Sequence, residues 1–332
     1  MSPNSTSALA ARDLSAAPAP VLEPATQAFV DGLAGTPPIY TLAPDAARAL
    51  LSDAQRSVQV PLPEVTIKDV GLPVGPDGHT RIRAVRPAGA TGVLPVIVYI
   101  HGGGWVLGDK DTHDRLVREL AAGAQAAVVF VDYDRSPEAR FPAAIEQAYA
   151  VTAHVSANAA KFGVDANRLV VAGDSVGGNM AAVVALMAKE RKGPAILAQL
   201  LFYPVTDASM SSASYAEFAD GPWLTSAGMA WFWDQYLPDA SKRSDVRASP
   251  VNATVEQLAG LPRTLLIVDE NDVLRDEGEA YGRKLAQAGV EVTSIRCNGT
   301  VHDFMMLNAL ARTPAARAAI RQAIGYLRNA FG

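Results

Sequence analysis

The feature that most constrains this fold is a series of short apolar runs, read as continuous and without alternation. VLPVIVYI (93–100), AAVVFVDY (126–133), RLVVAG (168–173), LAQLLFY (197–203), TLLIVDE (264–270) and VEVTSIRC (290–297) are each of strand length, and helical segments intervene. A strand with one wet face alternates apolar and polar residues, whereas a continuous apolar run is expected of a strand covered on both faces. Strands alternating with helices predict a mostly parallel central sheet with helices on each side. Upstream, VTIKDVGLPV and TRIRAVRP read as two further strands joined by a turn through Pro76-Asp77-Gly78.

The helices carry their own punctuation. After Ser175, Met180, Val183, Val184 and Met187 share a face, and Lys189, Arg191, Lys192 and Gly193 suit a helix C-terminus. A helix over 276–288 has Glu277 and Glu279 near its positive N-terminal end. The last helix starts at Thr313-Pro314 and presents Ile320, Ile324, Leu327 and Phe331. Residues 1–20, rich in Ala, Ser and Pro, are expected to form a mobile tail. Two helices are expected over 23–34 and 44–57. One large domain spans 61–332, interrupted at about 205–245 by a segment holding Tyr215, Phe218, Trp223, Trp231, Phe232, Trp233 and Tyr236. That insertion is expected to pack with residues 21–60 as a helical cap over a site.

Composition narrows the function. At 332 residues and 49% hydrophobic, the chain can bury a large core. Charged residues are only 19% and the net charge is -5, without a Lys/Arg cluster suited to nucleic acid or an anionic membrane. Residues 93–100, broken by Pro95, are too few to span a bilayer. One cysteine, Cys297, excludes an intramolecular disulfide and reads as a small buried residue at a strand end. The N-terminus lacks a basic region followed by an apolar core, so a cytoplasmic chain is expected.

Three signals point to nucleophilic catalysis. Gly173-Asp174-Ser175-Val176-Gly177 fits G-x-S-x-G between a strand and a helix. A nucleophilic serine must stand on a sharp turn, and small residues two before and two after let strand and helix approach. His101-Gly102-Gly103-Gly104-Trp105 follows the strand 93–100. Its uncovered backbone N–H groups suit a negatively charged tetrahedral oxygen. Gly103, Gly104 and Val176 are assigned to this oxyanion hole, with Gly102 as an alternative, and His101 is expected to brace the loop. The third signal is the order Ser…Asp…His, with Asp272 and His302 each just beyond a strand. His302 is the one histidine C-terminal to Asp272; His79, His113 and His154 read as surface or packing residues. Asp269, Glu270, Asp276 and Glu277 are neighbouring candidates for the acid.

HGGGW with the following Gly108-Asp109, GDSVGGN, DENDVLRDEG and VHDF together resemble the hormone-sensitive-lipase-like esterases of the α/β-hydrolase superfamily. The likeness runs from about residue 64 to the C-terminus, and loosely over the N-terminal helices. It implies that Ser175 is the nucleophile, Asp272 the acid and His302 the base. Two departures stand out: Asp134 where the family usually has Arg, and Asp303 where it often has Gly. The expected reaction is ester hydrolysis through an acyl-enzyme, on small substrates such as short-chain acyl esters. No metal or organic cofactor is required, and a homodimer is expected from the family. Activity is expected to fall through a histidine pKa of ~6.5 if unperturbed. Amide or formamide hydrolysis with the same residues is the alternative. A ligand receptor on a dead hydrolase frame is the reading from another class, and the presence of His302 counts against it.

Overall fold

The computed structural model describes residues 20–332, so the expected tail lies outside the described residues except for its last member. Eight strands form one sheet in the order β1-β2-β4-β3-β5-β6-β7-β8. They are β1 Val65–Leu72, β2 Thr80–Pro87, β3 Leu94–Ile100, β4 Ala127–Asp132, β5 Val164–Asp174, β6 Ala198–Phe202, β7 Arg263–Asn271 and β8 Val292–Val301. β2 pairs antiparallel with β1 and with β4, and every pairing from β4 to β8 is parallel. This is the mostly parallel sheet that the apolar runs predict.

Helices cover both faces. Asp114–Ala124 and Pro314–Phe331 pack against each other on one side; Ala143–Ala157 and Val176–Glu190 pair on the other, with Arg275–Gln287 against β7 and β8. The central strands are consequently dry: Val96 to Ile100 and Leu169 to Ala172 have no exposed surface. Each fully buried Val, Leu or Ile side chain contributes roughly 1.5–3 kcal/mol relative to exposure.

Three local expectations are revised. β8 ends four residues later than its apolar run, and its first seven residues are largely open to solvent. It is the last strand of the sheet, and Glu291, Thr293, Ser294 and Arg296 break up its apolar run. The helix after Ser175 buries every residue from Val176 to Ala188, not one stripe, because it is wedged between the sheet and Ala143–Ala157. Lys189 donates to the carbonyls of Glu256, Gln257 and Ala259 at 2.9, 2.8 and 2.6 Å. It thus caps the neighbouring short helix Val255–Leu258.

The two N-terminal helices are Pro24–Asp31 and Pro44–Arg56, and the insertion contributes Ala213–Glu217 and Ser226–Tyr236. Phe29 meets Trp223 with ring centroids 5.1 Å apart, so the two segments touch. Arg48 ties the second helix down: it donates to the Val106 and Ser136 carbonyls at 2.9 Å each and pairs with Glu138 at 2.6 Å. No helix among the described residues is long and apolar enough to cross a membrane.

The dry sheet yields a stability prediction. Ile97 in β3 is completely buried. Ile97→Ala should lower unfolding stability by about 2–5 kcal/mol, read as a lower urea midpoint at an unchanged slope.

Candidate active site

Strand order decides where a site forms. The chain runs from β3 leftward to β4, then returns to place β5 on the other side of β3. Loops leaving β3 and β5 therefore diverge and open a crevice at their carboxyl ends. The β3 loop is His101-Gly102-Gly103-Gly104, and the β5 loop is Ser175.

Ser175 has φ 54° and ψ -121°, a region costly for a residue with a side chain. It is held there from both sides. Its N–H donates to the Phe202 carbonyl at 2.8 Å, and its carbonyl accepts from Asn179 and Val205. The helix Val176–Glu190 then starts so close to β3 that a Cβ on Gly177 would collide with the Ile100 carbonyl oxygen. Here the small residue of the motif is a steric requirement.

The three glycines of the loop differ in what their N–H groups meet. The Gly102 N–H donates to Asp174 Oδ1 at 3.1 Å and is engaged. Gly103 and Gly104, at φ 100° and 63°, line the same pocket as Ser175 and have no hydrogen-bond acceptor for their N–H groups among the described residues. Val176 is the first residue of its helix, where the N–H has no partner within the helix. His101 braces the loop as expected: Nδ1 meets the Gly102 carbonyl at 2.8 Å, and the ring stacks on Tyr133 at 4.1 Å. Burial, with His113 beside it, lowers its pKa to about 3, so the ring is neutral.

Behind this loop lies a network that sequence reading missed. Asp174, fully buried, accepts from Tyr99 at 2.7 Å and from the Gly102 N–H, and its second oxygen meets His113 Nε2 at 3.2 Å. Burial opposes its charge, but His113 and the hydrogen bonds outweigh it and hold the carboxyl below its ordinary pKa. For His113 the burial penalty is likewise overcome by Asp174, and its pKa is raised. His113 is thus a packing residue with an electrostatic task. The one signal available was Asp174 inside the serine motif itself.

Three side chains distant in sequence meet at the pocket floor. His302 Nε2 lies 2.8 Å from Ser175 Oγ, and His302 Nδ1 lies 2.7 Å from Asp272 Oδ2. Asp272 is fixed in turn, its Oδ1 accepting from the Leu274 N–H at 3.0 Å. Among the neighbouring acids, Glu270 accepts from Gly299, Asp276 from Arg275, and Glu277 from the Thr206 N–H at 2.6 Å. Glu277 is buried and fastens the start of the insertion, more than the dipole partner its position suggested. Asp269 remains 3.9 Å from His302 Nδ1. Burial lowers the His302 pKa, but the charges of Asp272 and Asp303 more than reverse that, raising it to about 9.

Above the floor is a cavity of about 520 Å³. The N-terminal segment supplies Ile39, Leu50 and Leu51; the insertion supplies Leu224, Met229 and Phe232. The walls are mainly apolar, with polar groups from Thr36, Asp53, Ser57 and Thr225 as well as from Ser175, His302 and Asp303. Asp269, Asp272 and His302 offer three ligand atoms within 4.8 Å of one another. A cation there would have to displace the proton through which Nδ1 bonds Asp272.

A family model described as alpha/beta hydrolase fold matches residues 97–306. The chain belongs to the α/β-hydrolase family. A solved esterase from Pseudomonas putida ECU1011 is 51% identical, covers 95% of this chain and 99% of its own, and superposes with a TM-score of 0.93. The carboxylesterase NlhH of Mycobacterium tuberculosis is 40% identical over 86% of this chain and 89% of its own length. An ethyl acetate hydrolase of Pseudomonas putida is 36% identical over 82% and 86%.

Both departures of this α/β-hydrolase have a structural account. Asp134 exchanges two hydrogen bonds with Gln147, at 2.9 and 2.7 Å, and meets Arg81 at 3.2 Å. Arg135, one residue later, reaches the Gly108 carbonyl at 2.8 Å and so supports the end of the glycine loop. Asp303 sits at φ 67°, which favours glycine, with one oxygen accepting from the Trp223 indole at 3.3 Å and the other 3.6 Å from His302 Nε2. Cys297 lies on β8, where burial, with Asp269 and Glu23 nearby, pushes its thiol up to about 12.

The buried network makes a specific demand. Asp174→Ala frees the Gly102 N–H and leaves His113 unpaired, so kcat on an acyl ester should drop by roughly 10²-fold while KM changes less. Steady-state kinetics beside a thermal melt checks this.

Proposed function

We propose that this protein is a serine carboxylic-ester hydrolase that works through a covalent acyl-enzyme. The observation that carries the reading is the continuous path Asp272–His302–Ser175, at 2.7 and 2.8 Å, opening into an apolar pocket beside the free N–H groups of Gly103 and Gly104.

His302 takes the proton of Ser175 Oγ through Nε2 as the oxygen attacks the ester carbonyl. Asp272 accepts from Nδ1, keeps the ring in the required tautomer and stabilises the imidazolium. The tetrahedral oxygen is held by the N–H groups of Gly103, Gly104 and Val176, aimed in advance by the turns that build them. Nε2 then protonates the departing alcohol. Water, activated by the same nitrogen, releases the acid and restores Ser175.

The N-terminal helices and the insertion act together as a cap, and the pocket between them sets the substrate. Its apolar lining suits small uncharged esters. A short acyl chain is the favoured substrate, which the ethyl acetate hydrolase among the relatives supports.

Three measurements test this. Ser175→Ala should lower turnover by roughly 10³-fold or more. A folded variant that hydrolyses p-nitrophenyl acetate at the parent rate would sink the mechanism. Across p-nitrophenyl esters of rising chain length, kcat/KM should be greatest for short acyl groups; a steady rise to long chains overturns the acyl-size assignment.

The pH profile follows from charge. His302 acts as a base only when neutral, so activity is lost as pH falls through its pKa. Because that pKa is raised to about 9, kcat/KM should climb from neutral into alkaline pH, with a midpoint above the ordinary histidine value. A limb centred at or below ~6.5 contradicts this electrostatic account.

A further inference from the structure

Asp269 is a buried carboxyl for which the mechanism above has no use. It lies on β7, opposite Cys297 of β8, with no exposed surface. Neither oxygen has a hydrogen-bond partner among the described residues. Burying a polar group without a partner is costly, and a leucine at a sheet position would cost nothing of the kind. Nearby acids each have an evident structural task; this one has none. Yet it is aimed at a meaningful place, since its Oδ2 is 3.9 Å from His302 Nδ1, on the side of the ring that Asp272 serves.

We propose that Asp269 is a reserve acceptor for the Nδ1–H of His302, a positioning residue that takes over orientation of the ring when Asp272 is removed. The geometry needs a closure of about 1 Å to reach hydrogen-bonding range. Asp272 occupies the shorter path and is locked by the Leu274 N–H, so Asp269 is idle in the resting enzyme. Removing the Asp272 side chain opens the space into which the ring can turn.

Charge explains why the two carboxyls do not compete. Asp269 faces Asp272 and His302, with Asp303, Tyr203 and Cys297 also within its electrostatic reach. Burial, then the negative charges of Asp272 and Asp303, push its pKa well up. Asp269 therefore holds its proton more tightly than an ordinary carboxyl does. Loss of the Asp272 charge lets Asp269 ionise more easily. The reserve role should therefore strengthen as pH rises, and weaken as pH falls and Asp269 regains its proton.

The inference rests on the proposed role of His302, so His302→Ala is measured first. If that variant keeps parent activity, the reaction scheme itself is wrong and the reserve role of Asp269 falls with it. Given an inactive His302→Ala, p-nitrophenyl acetate hydrolysis is compared in Asp272→Ala and in the double variant Asp269→Asn/Asp272→Ala. The single variant should exceed the double by about tenfold or more, and its residual rate should increase with pH. The far-downfield proton resonance of an Nδ1–H bonded to a carboxylate should persist in the single variant and vanish in the double. Equal rates, equal pH profiles and no downfield proton in either would overturn the proposal. Should Asp272→Ala not fold, Asp272→Gly with and without Asp269→Asn carries the same comparison with the space still vacated.

Discussion

The close approach of the first turn after Ser175 to the end of β3 is the constraint on which the site depends. Gly177 lies against the Ile100 carbonyl, leaving no room for a side chain. That contact fixes the start of the helix relative to β3, and His101 begins immediately after Ile100. One steric condition thus sets the distance between the serine hydroxyl and the glycine N–H groups. The strained backbone at Ser175 is sustained by bonds to Phe202 of β6, to Asn179 of the helix that follows, and to Val205 just beyond β6. The strain is distributed into the sheet, and the loops are not asked to hold it alone.

Buried charge is the second organising theme, and it is used in two opposite ways. Asp174 and His113 are buried together and satisfied together, with Tyr99 and Gly102 completing the set. Such a group fixes geometry because removing one member leaves an uncompensated charge. Asp269 is buried among other acids and has no hydrogen-bond partner among the described residues. The first arrangement ties the glycine loop to the serine motif through the Gly102 N–H; the second raises the pKa of a carboxyl beside the histidine. Asp303 is intermediate, with one oxygen bound to Trp223 and the other left facing the histidine. It links the insertion to the residue next to His302, so movement of Trp223 would be felt in the charge around Nε2.

Much of this was legible in the chain. The interior parallel strands were, because a strand buried on both faces must be apolar at successive positions. The histidine and serine were, since turn chemistry and chain order leave few alternatives. β8 was less so: it is an edge strand, and Glu291, Thr293, Ser294 and Arg296 interrupt its apolar residues where the strand is open to solvent. The acid was ambiguous because Asp269 and Asp272 are three residues apart, and sequence spacing does not say which carboxyl reaches Nδ1. That is decided by where β7 ends and how the Leu274 N–H turns Asp272. The partners of Asp174 were invisible for a similar reason. Tyr99 and His113 are separated from it by 75 and 61 residues, and nothing local in any of the three segments announces the meeting.

The departure at Asp134 shows how a motif can change while its physical role persists. An arginine at that position would be a cation near the glycine loop, and its replacement by an acid would reverse the local sign. Yet Arg135 reaches the Gly108 carbonyl, and Asp134 turns away to Gln147 and Arg81. Arg48 pairs with Glu138 and at the same time bonds the Val106 carbonyl. One guanidinium therefore joins the second N-terminal helix, the loop after the glycines and the segment around Asp134. The second N-terminal helix, which lines the pocket, and the loop after the glycines are fastened to the same point, so a shift of that helix would strain the support of the glycine loop.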